Sequence, residues 1–364
     1  MCPSRCGRCS RSKRDDGVSV TQHDYRFLRA CRREPVDKTP VWFMRQAGRY
    51  MPEYRAIRAN NTLLDICAQP ELAAEVTLQP VNALDIDAAI IFADILLPLV
   101  PMGIQLRFAK GEGPVIDNPV RTAADVDALK VLDPEEATPT TLEAISIVSR
   151  ELEGKMPLIG FAGGPFTVAS YMIEGGSSRN YLHMKGLMYG EPEVWDRLMT
   201  KLSDMTARYL LGQIRAGAAA VQIFDSWAGA LSPHDYRQRV MPYVQQIVDA
   251  IKPTGVPTIV FGTSTAGLLS TYSELGTDVV GADWRIDLDT AWDLIGPDRA
   301  IQGNLDPALL FGPREELDQQ VQRILGEASG RPGHIFNLGH GILPETPVDN
   351  VRFVAERVHE LTAK

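Results

Sequence analysis

Pro40-Val41-Trp42-Phe43-Met44-Arg45-Gln46-Ala47-Gly48-Arg49-Tyr50 begins as a strand and ends as a cationic loop. Residues 41–44 are bulky and apolar without alternation, the pattern of a strand buried on both faces. Arg45 and Arg49 follow at once, and Gly48 between them permits a turn. Two guanidiniums at the lip of a core need anionic partners, because a desolvated charge is costly unless paired. A carboxylate or phosphate suits the planar Arg fork, which grips it with two parallel hydrogen bonds. The chain's own acids are the structural alternative, and spacing alone leaves both open.

Working outward, short apolar runs recur at 87–92, 157–162, 219–224, 258–261, 279–281, 300–302 and 335–338. Most are separated by helical patterns. The clearest is 194–211, where Trp195, Leu198, Met199, Leu202, Met205, Tyr209 and Leu210 share one face. Further helices are expected over 25–31, 70–84, 140–152, 165–171, 235–251 and 348–361. Residues 104–120, turning at Lys110-Gly111-Glu112-Gly113, read as a hairpin. With 41–44, eight βα units predict an α/β chain folded as a single-domain (β/α)8 (TIM) barrel, with the hairpin inserted after its second strand. The barrel is expected over 23–364, with 1–22 a disordered or over-long tail. A doubly wound open sheet is the alternative. It usually carries a Gly-rich dinucleotide turn after its first strand, and Gln46-Ala47-Gly48-Arg49 is not one.

The 364 residues suit one large domain, and 45% hydrophobic with 23% charged residues fits a soluble globular protein. A formal net charge of −9 argues against a nucleic-acid binder. It also means that an anionic ligand would need a pocket with its own cations. No stretch is apolar enough to span a membrane, since Pro98 and Pro101 break the most apolar one. The basic tail lacks the apolar core of a secretory signal. Cys2, Cys6, Cys9, Cys31 and Cys67 all lie early; the first three have no fourth metal ligand nearby until His23. Few cysteines beside a large core fit the reducing cytoplasm.

In a barrel the site lies at the strands' C-terminal ends. Arg45, Arg49, Asp94, Ser226, Ser264, Asp283, Asn304 and His340 fall there. Asp94 sits among Ile90, Ile91, Phe92, Ile95, Leu96 and Leu97, so its carboxylate is desolvated and needs N–H donors or an Arg to stay ionised. A helix cap or internal salt bridge competes with a functional role. His340 lies between two glycines, exposed and mobile enough to touch a ligand, or is simply a turn residue. Ser226 has no His near it in sequence and no GxSxG elbow, so hydrogen bonding suits it better than nucleophilic attack. Tyr171 also reads as a core residue with its hydroxyl capped.

The stretch from Pro40 to Arg49 resembles the first signature of the uroporphyrinogen decarboxylase family, and Gly160-Phe161-Ala162-Gly163-Gly164-Pro165-Phe166-Thr167 resembles the second. Phe92-Ala93-Asp94-Ile95-Leu96, Gln302-Gly303-Asn304-Leu305-Asp306-Pro307 and Asn337-Leu338-Gly339-His340-Gly341 are similar to further family motifs. The likeness runs over about 24–362 in the family's order. It implies a (β/α)8 barrel and a carboxy-lyase of porphyrin biosynthesis. The reaction implied removes the four acetate carboxylates of uroporphyrinogen III, without a cofactor or metal, giving coproporphyrinogen III and four CO2. The implied substrate-binding residues are Arg45, Gln46, Ala47, Gly48, Arg49, Asp94, Tyr171, Ser226 and His340. Asp94 is implied to stabilise a cationic pyrrole intermediate, and the enzyme to be a cytoplasmic homodimer. Some members carry Phe at Tyr54 and His at Trp227, differences expected to alter packing. The cysteine-bearing tail has no counterpart.

The resemblance makes chemical sense of these residues. The substrate is a polyanion, which gives an acidic protein a reason to keep Arg45 and Arg49 together. Four pyrrole N–H groups converge on one carboxylate, and protonating the pyrrole carbon beside an acetate makes the ring its own electron sink. The proton donor stays unassigned, since Arg is a poor acid. Two rivals remain. A zinc methyltransferase on the same barrel needs a His/Cys ligand set, and no cysteine follows Cys67. A non-catalytic tetrapyrrole binder would bind without releasing CO2.

Overall fold

Seven parallel strands hydrogen-bond in chain order: β1 (Ala89–Ile90), β2 (Leu158–Gly163), β3 (Ala220–Phe224), β4 (Thr258–Phe261), β5 (Val279–Gly281), β6 (Ala300–Leu305) and β7 (His334–Leu338). In this computed structural model residues 24–109 and 113–364 are described. The tail with Cys2, Cys6 and Cys9, His23, and the hairpin turn at 110–112 lie outside the described residues. Val41 closes the sheet as an isolated parallel bridge to Phe336. Phe336 N donates to Pro40 O at 2.9 Å, and on the other side Asp87 N donates to Val41 O at 2.7 Å. The chain is therefore a (β/α)8 barrel of one domain, as its periodicity predicts.

The expected first strand, 41–44, is shorter than its apolar run. All four residues are buried, yet only Val41 pairs. The Gln46 side chain takes the Phe43 amide at 3.0 Å and Asn337 Oδ1 takes the Met44 amide at 3.1 Å, so the backbone leaves the sheet. The second expected strand is likewise cut short, because Phe92 N donates to Thr77 Oγ1 at 2.9 Å. The helix expected over 235–251 is two, Pro233–Arg239 and Met241–Ile251. Pro242 offers no N–H to the previous turn, and the helix breaks at Val240. Helix Pro192–Ala216 buries the predicted face and stops at Gly217, whose φ of 119° ends the right-handed turn. The hairpin pairs Leu106–Ala109 with Gly113–Ile116. Among the described residues no helix is long and apolar enough to cross a membrane.

At the N-terminal end of the barrel a charge network ties the chain's ends together. Asp87 accepts from Val41 N at 2.7 Å and from Arg26, which also holds Asp37. His359, on the last helix, reaches Asp87 through Nε2 at 2.7 Å and Asp85 through Nδ1 at 2.6 Å. With both ring nitrogens facing carboxylates, His359 is an imidazolium. Burial opposes that charge, but Asp87 and Asp85 outweigh it and lift the pKa above 6.5. A raised folded pKa stabilises fully below 6.5, and the gain fades as pH rises through the folded value. His359→Gln is expected to cost about 2 kcal/mol at pH 6. The deficit should narrow toward pH 9 in urea-melt midpoints; a deficit independent of pH would remove the ion pair from the account.

Candidate active site at the C-terminal barrel mouth

Each sequence-predicted residue follows the C-terminal end of a strand, or the helix leading from one. Arg45 to Arg49 follow the bridge at Val41, and Asp94 follows β1. Tyr171 lies on the helix after β2 (Pro165–Glu174), Ser226 follows β3 and His340 follows β7. Barrel closure brings these ends to one rim although they are up to three hundred residues apart.

The cationic loop is shaped from below. Gln46 is fully buried; its Oε1 accepts from Phe43 N and its Nε2 donates to Ala88 O at 3.1 Å. Tyr50 OH donates to the Gln46 carbonyl at 2.7 Å. The Gln46 side chain is therefore spent inside the protein, and what it gives the rim is the loop's shape. Ala47 and Gly48 are half-buried, while Arg45 and Arg49 are exposed. Neither guanidinium has a hydrogen bond or ion pair with any described residue, so the internal salt bridge offered by the sequence is absent among these. Arg45 holds φ at 60°, a conformation most side chains avoid. Such strain is kept where the surroundings fix a side chain's direction.

Asp94 is half-buried. One oxygen accepts from Leu96 N at 2.9 Å, the capping bond that the sequence allowed. The other has no partner among the described residues. Burial raises its pKa, and the Leu96 amide and the Arg45 charge pull it back. Arg45 and Asp94 also act on Tyr171. Burial, then the Asp94 charge, pushes that phenol to about 12, so it stays a donor near neutrality. Tyr171 stacks on Trp227, with centroids 3.9 Å apart, and Tyr181 meets the same indole edge-on at 5.4 Å. Tyr54 packs on Phe92, two positions before Asp94 in the chain, with ring centroids 5.4 Å apart. The Ser226 hydroxyl beside Trp227 has no partner among the described residues.

His340 differs from its expected exposed, mobile state: it is half-buried and fixed. A Cβ at Gly339 would lie 2.5 Å from Trp284 N, and one at Gly341 2.4 Å from Arg45 Cδ, so the glycines serve close packing. Gly341 N donates to His340 Nδ1 at 2.6 Å, which leaves the proton on Nε2. Burial, then Arg45 and Arg285, lower its pKa to about 4. Near neutral pH His340 is an uncharged N–H donor between two cations.

Asp283 and Asn304 are buried and build the loop after β5. Asn304 Nδ2 donates to Asp283 O at 3.0 Å and Ile286 O at 2.7 Å. Sequence reasoning missed a clip beneath the aromatic wall. Thr167 donates to Asp225 from its amide at 3.1 Å and its hydroxyl at 2.7 Å, and the hydroxyl accepts from Trp227 N at 3.1 Å. Burial lifts the Asp225 carboxyl to about 6, partly offset by those donors. The second signature's Thr167 was a visible marker, but its partner sixty residues on was not. Among the described residues no cluster of three His, Cys, Asp or Glu is placed to hold a metal. Cys31 and Cys67 are free and buried.

The rim thus offers guanidiniums, a neutral imidazole and two hydroxyl-bearing side chains around one half-desolvated carboxylate. It can bind several anionic groups at its edge and stabilise a positive charge at its centre.

Residues 22–361 match the family model described as uroporphyrinogen decarboxylase (URO-D). A protein of that name from Carboxydothermus hydrogenoformans is 57% identical over 93% of this chain and 96% of its own length. One from Sorangium cellulosum is 58% identical over 93% and 97%. Among solved structures, a methyltransferase from Methanosarcina mazei aligns over 92% of this chain and 98% of its own, with a TM-score of 0.79. At 20% identity that likeness concerns the barrel alone.

Proposed function

Because the chain belongs to the uroporphyrinogen decarboxylase family, we propose that its rim residues divide the work of one decarboxylation between binding at the edge and charge stabilisation at the centre. The enzyme removes the four acetate carboxylates of uroporphyrinogen III, giving coproporphyrinogen III and four CO2, in porphyrin biosynthesis. The observation that carries the division of labour is the half-buried Asp94 carboxylate within the field of Arg45, which is unpaired among the described residues.

Arg45 and Arg49 take carboxylates of the substrate's rim; their lack of partners among the described residues supports this. The His340 Nε2–H, Tyr171 OH and Ser226 OH orient further carboxylates by donating hydrogen bonds. Gln46, Ala47 and Gly48 set the loop from which the guanidiniums project. The four pyrrole N–H groups point at the Asp94 carboxylate. When a pyrrole carbon beside an acetate is protonated, the ring becomes cationic. The C–CO2 bond then breaks, its electron pair neutralises the ring as an exocyclic methylene, and CO2 leaves. That methylene carbon takes a proton and the ring carbon gives up its own, which restores the pyrrole and leaves a methyl group. Asp94 is already in place as that cation forms. A fixed charge in a poorly solvated site gives much of its value in this way, since it need not reorganise.

We further propose that 23–364 is the catalytic unit and that it works as a cytoplasmic homodimer. The family resemblance supports the dimer, and the scarcity of cysteines supports the compartment.

The direct test is incubation with the reduced eight-carboxylate porphyrinogen under nitrogen, counting carboxylates by mass spectrometry. Conversion through seven-, six- and five-carboxylate species to the four-carboxylate product is expected. Tight binding with no mass loss would favour a non-catalytic binder.

A further inference from the structure

We propose that Arg285 is a third substrate-binding guanidinium, forming with His340 and Arg45 one subsite for a carboxylate of the macrocycle's rim. This rests on the decarboxylase reading and extends it to the loop after β5, to which the family resemblance assigned no contact.

The loop Asp283-Trp284-Arg285 is held rigidly. Asn304 clamps the carbonyls of Asp283 and Ile286 on either side of it, and the buried Asp283 carboxylate accepts from Arg285 N at 3.0 Å and from Ser264 N. The Arg285 guanidinium lies over the Trp284 ring, 4.0 Å from its centroid, and donates to Asp283 Oδ2 at 2.7 Å. It remains 46% exposed, so most of its five N–H donors are free at the mouth. Stacking and one ion pair fix the direction of a fork that would otherwise lose rotamer freedom on binding.

Packing then sets His340 between two cations. Gly339 presses on the backbone and ring of Trp284, and Gly341 presses on the stem of Arg45. Burial, and after it the charges of Arg45 and Arg285, depress the imidazole, so it is uncharged near neutral pH. A positive field only partly offset by Asp283, around a neutral N–H donor, suits a carboxylate, which accepts from all three. Asp283 neutralises part of the Arg285 charge through Oδ2, but its two oxygens also accept from the backbone amides of Ser264 and Arg285.

The test compares wild type with Arg285→Gln, Arg285→Lys and the double variant Asp283→Asn/Arg285→Gln, all under nitrogen. Initial-rate KM and kcat are measured over a range of salt. Quenching of tryptophan fluorescence by the eight-carboxylate porphyrinogen, with turnover blocked by Asp94→Asn, reports binding separately. Arg285→Gln is expected to raise KM about tenfold with kcat within about threefold. It should also flatten the salt dependence of KM. Arg285→Lys should fall between, and the double variant should keep the defect. Wild-type KM and salt slope in Arg285→Gln would overturn the proposal. So would recovery in the double variant, which would mean that Arg285 only neutralises Asp283. Should Arg285→Gln fail to fold, the other two variants carry the comparison. Absence of CO2 release by wild type would sink the decarboxylase reading instead, while the quenching titration still decides on Arg285.

Discussion

Asp94→Asn is expected to lower turnover about 100- to 1,000-fold, the scale seen when one preorganised stabilising group is removed from an active site. The variant should fold. The amide oxygen can still accept from Leu96 N, the one hydrogen bond that the carboxylate makes among the described residues. What disappears is the negative charge that, on the proposed mechanism, faces the ring as it turns cationic. KM should change little by comparison, because the neutral pyrrole N–H groups still find an acceptor. The pH profile separates this role from a structural one. Burial raises the Asp94 pKa, so wild-type activity should fall on the acid side at a pH above the ordinary carboxylate range. That limb should vanish from the residual activity of the variant. Near-normal CO2 release by well-folded Asp94→Asn would refute the assignment.

Arg45→Ala and Arg49→Ala should each raise KM by about 10- to 100-fold, from about 1.5–3 kcal/mol per charge-assisted contact. Both side chains are exposed and make no ion pair among the described residues, so their removal breaks no salt bridge there, although Arg45→Ala takes away a charge that helps keep Asp94 ionised. Thermal midpoints should hardly move. Raised salt should weaken the wild type toward the variants, because screening removes the same attraction that the mutation deletes. The two should differ in kcat. Arg45 acts on Asp94, Tyr171 and His340, whereas the influence of Arg49 reaches Tyr54. Arg45→Ala should therefore also lower kcat, and Arg49→Ala should leave it nearly unchanged. Wild-type KM in both variants, measured by initial rates, would make the pair structural.

The barrel was legible from the chain because its signals are local. A strand buried on both faces must be apolar throughout, and Thr258–Phe261 and Val279–Gly281 fall where their runs predict. Ends were less legible. Whether Phe43 and Met44 stay in the sheet depends on amides captured by Gln46 and Asn337, and the latter lies almost three hundred residues away. The Arg45 and Arg49 pair was visible as charge on a buried strand's end. Arg285 was equally visible as a letter, two residues after the strand-end Asp283, but nothing local says that its field reaches His340.

The sequence by itself determined the repeating units, the rim at the strands' C-terminal ends, and the carboxylate and guanidiniums placed there. Those follow from burial and charge along consecutive residues. Only the tertiary structure decided that Gln46 is spent inward, that Thr167 and Asp225 brace Trp227, and that His340 is a neutral donor between two cations. Each depends on which strand ends closure makes neighbours, and electrostatic and packing energies act through space rather than along the chain.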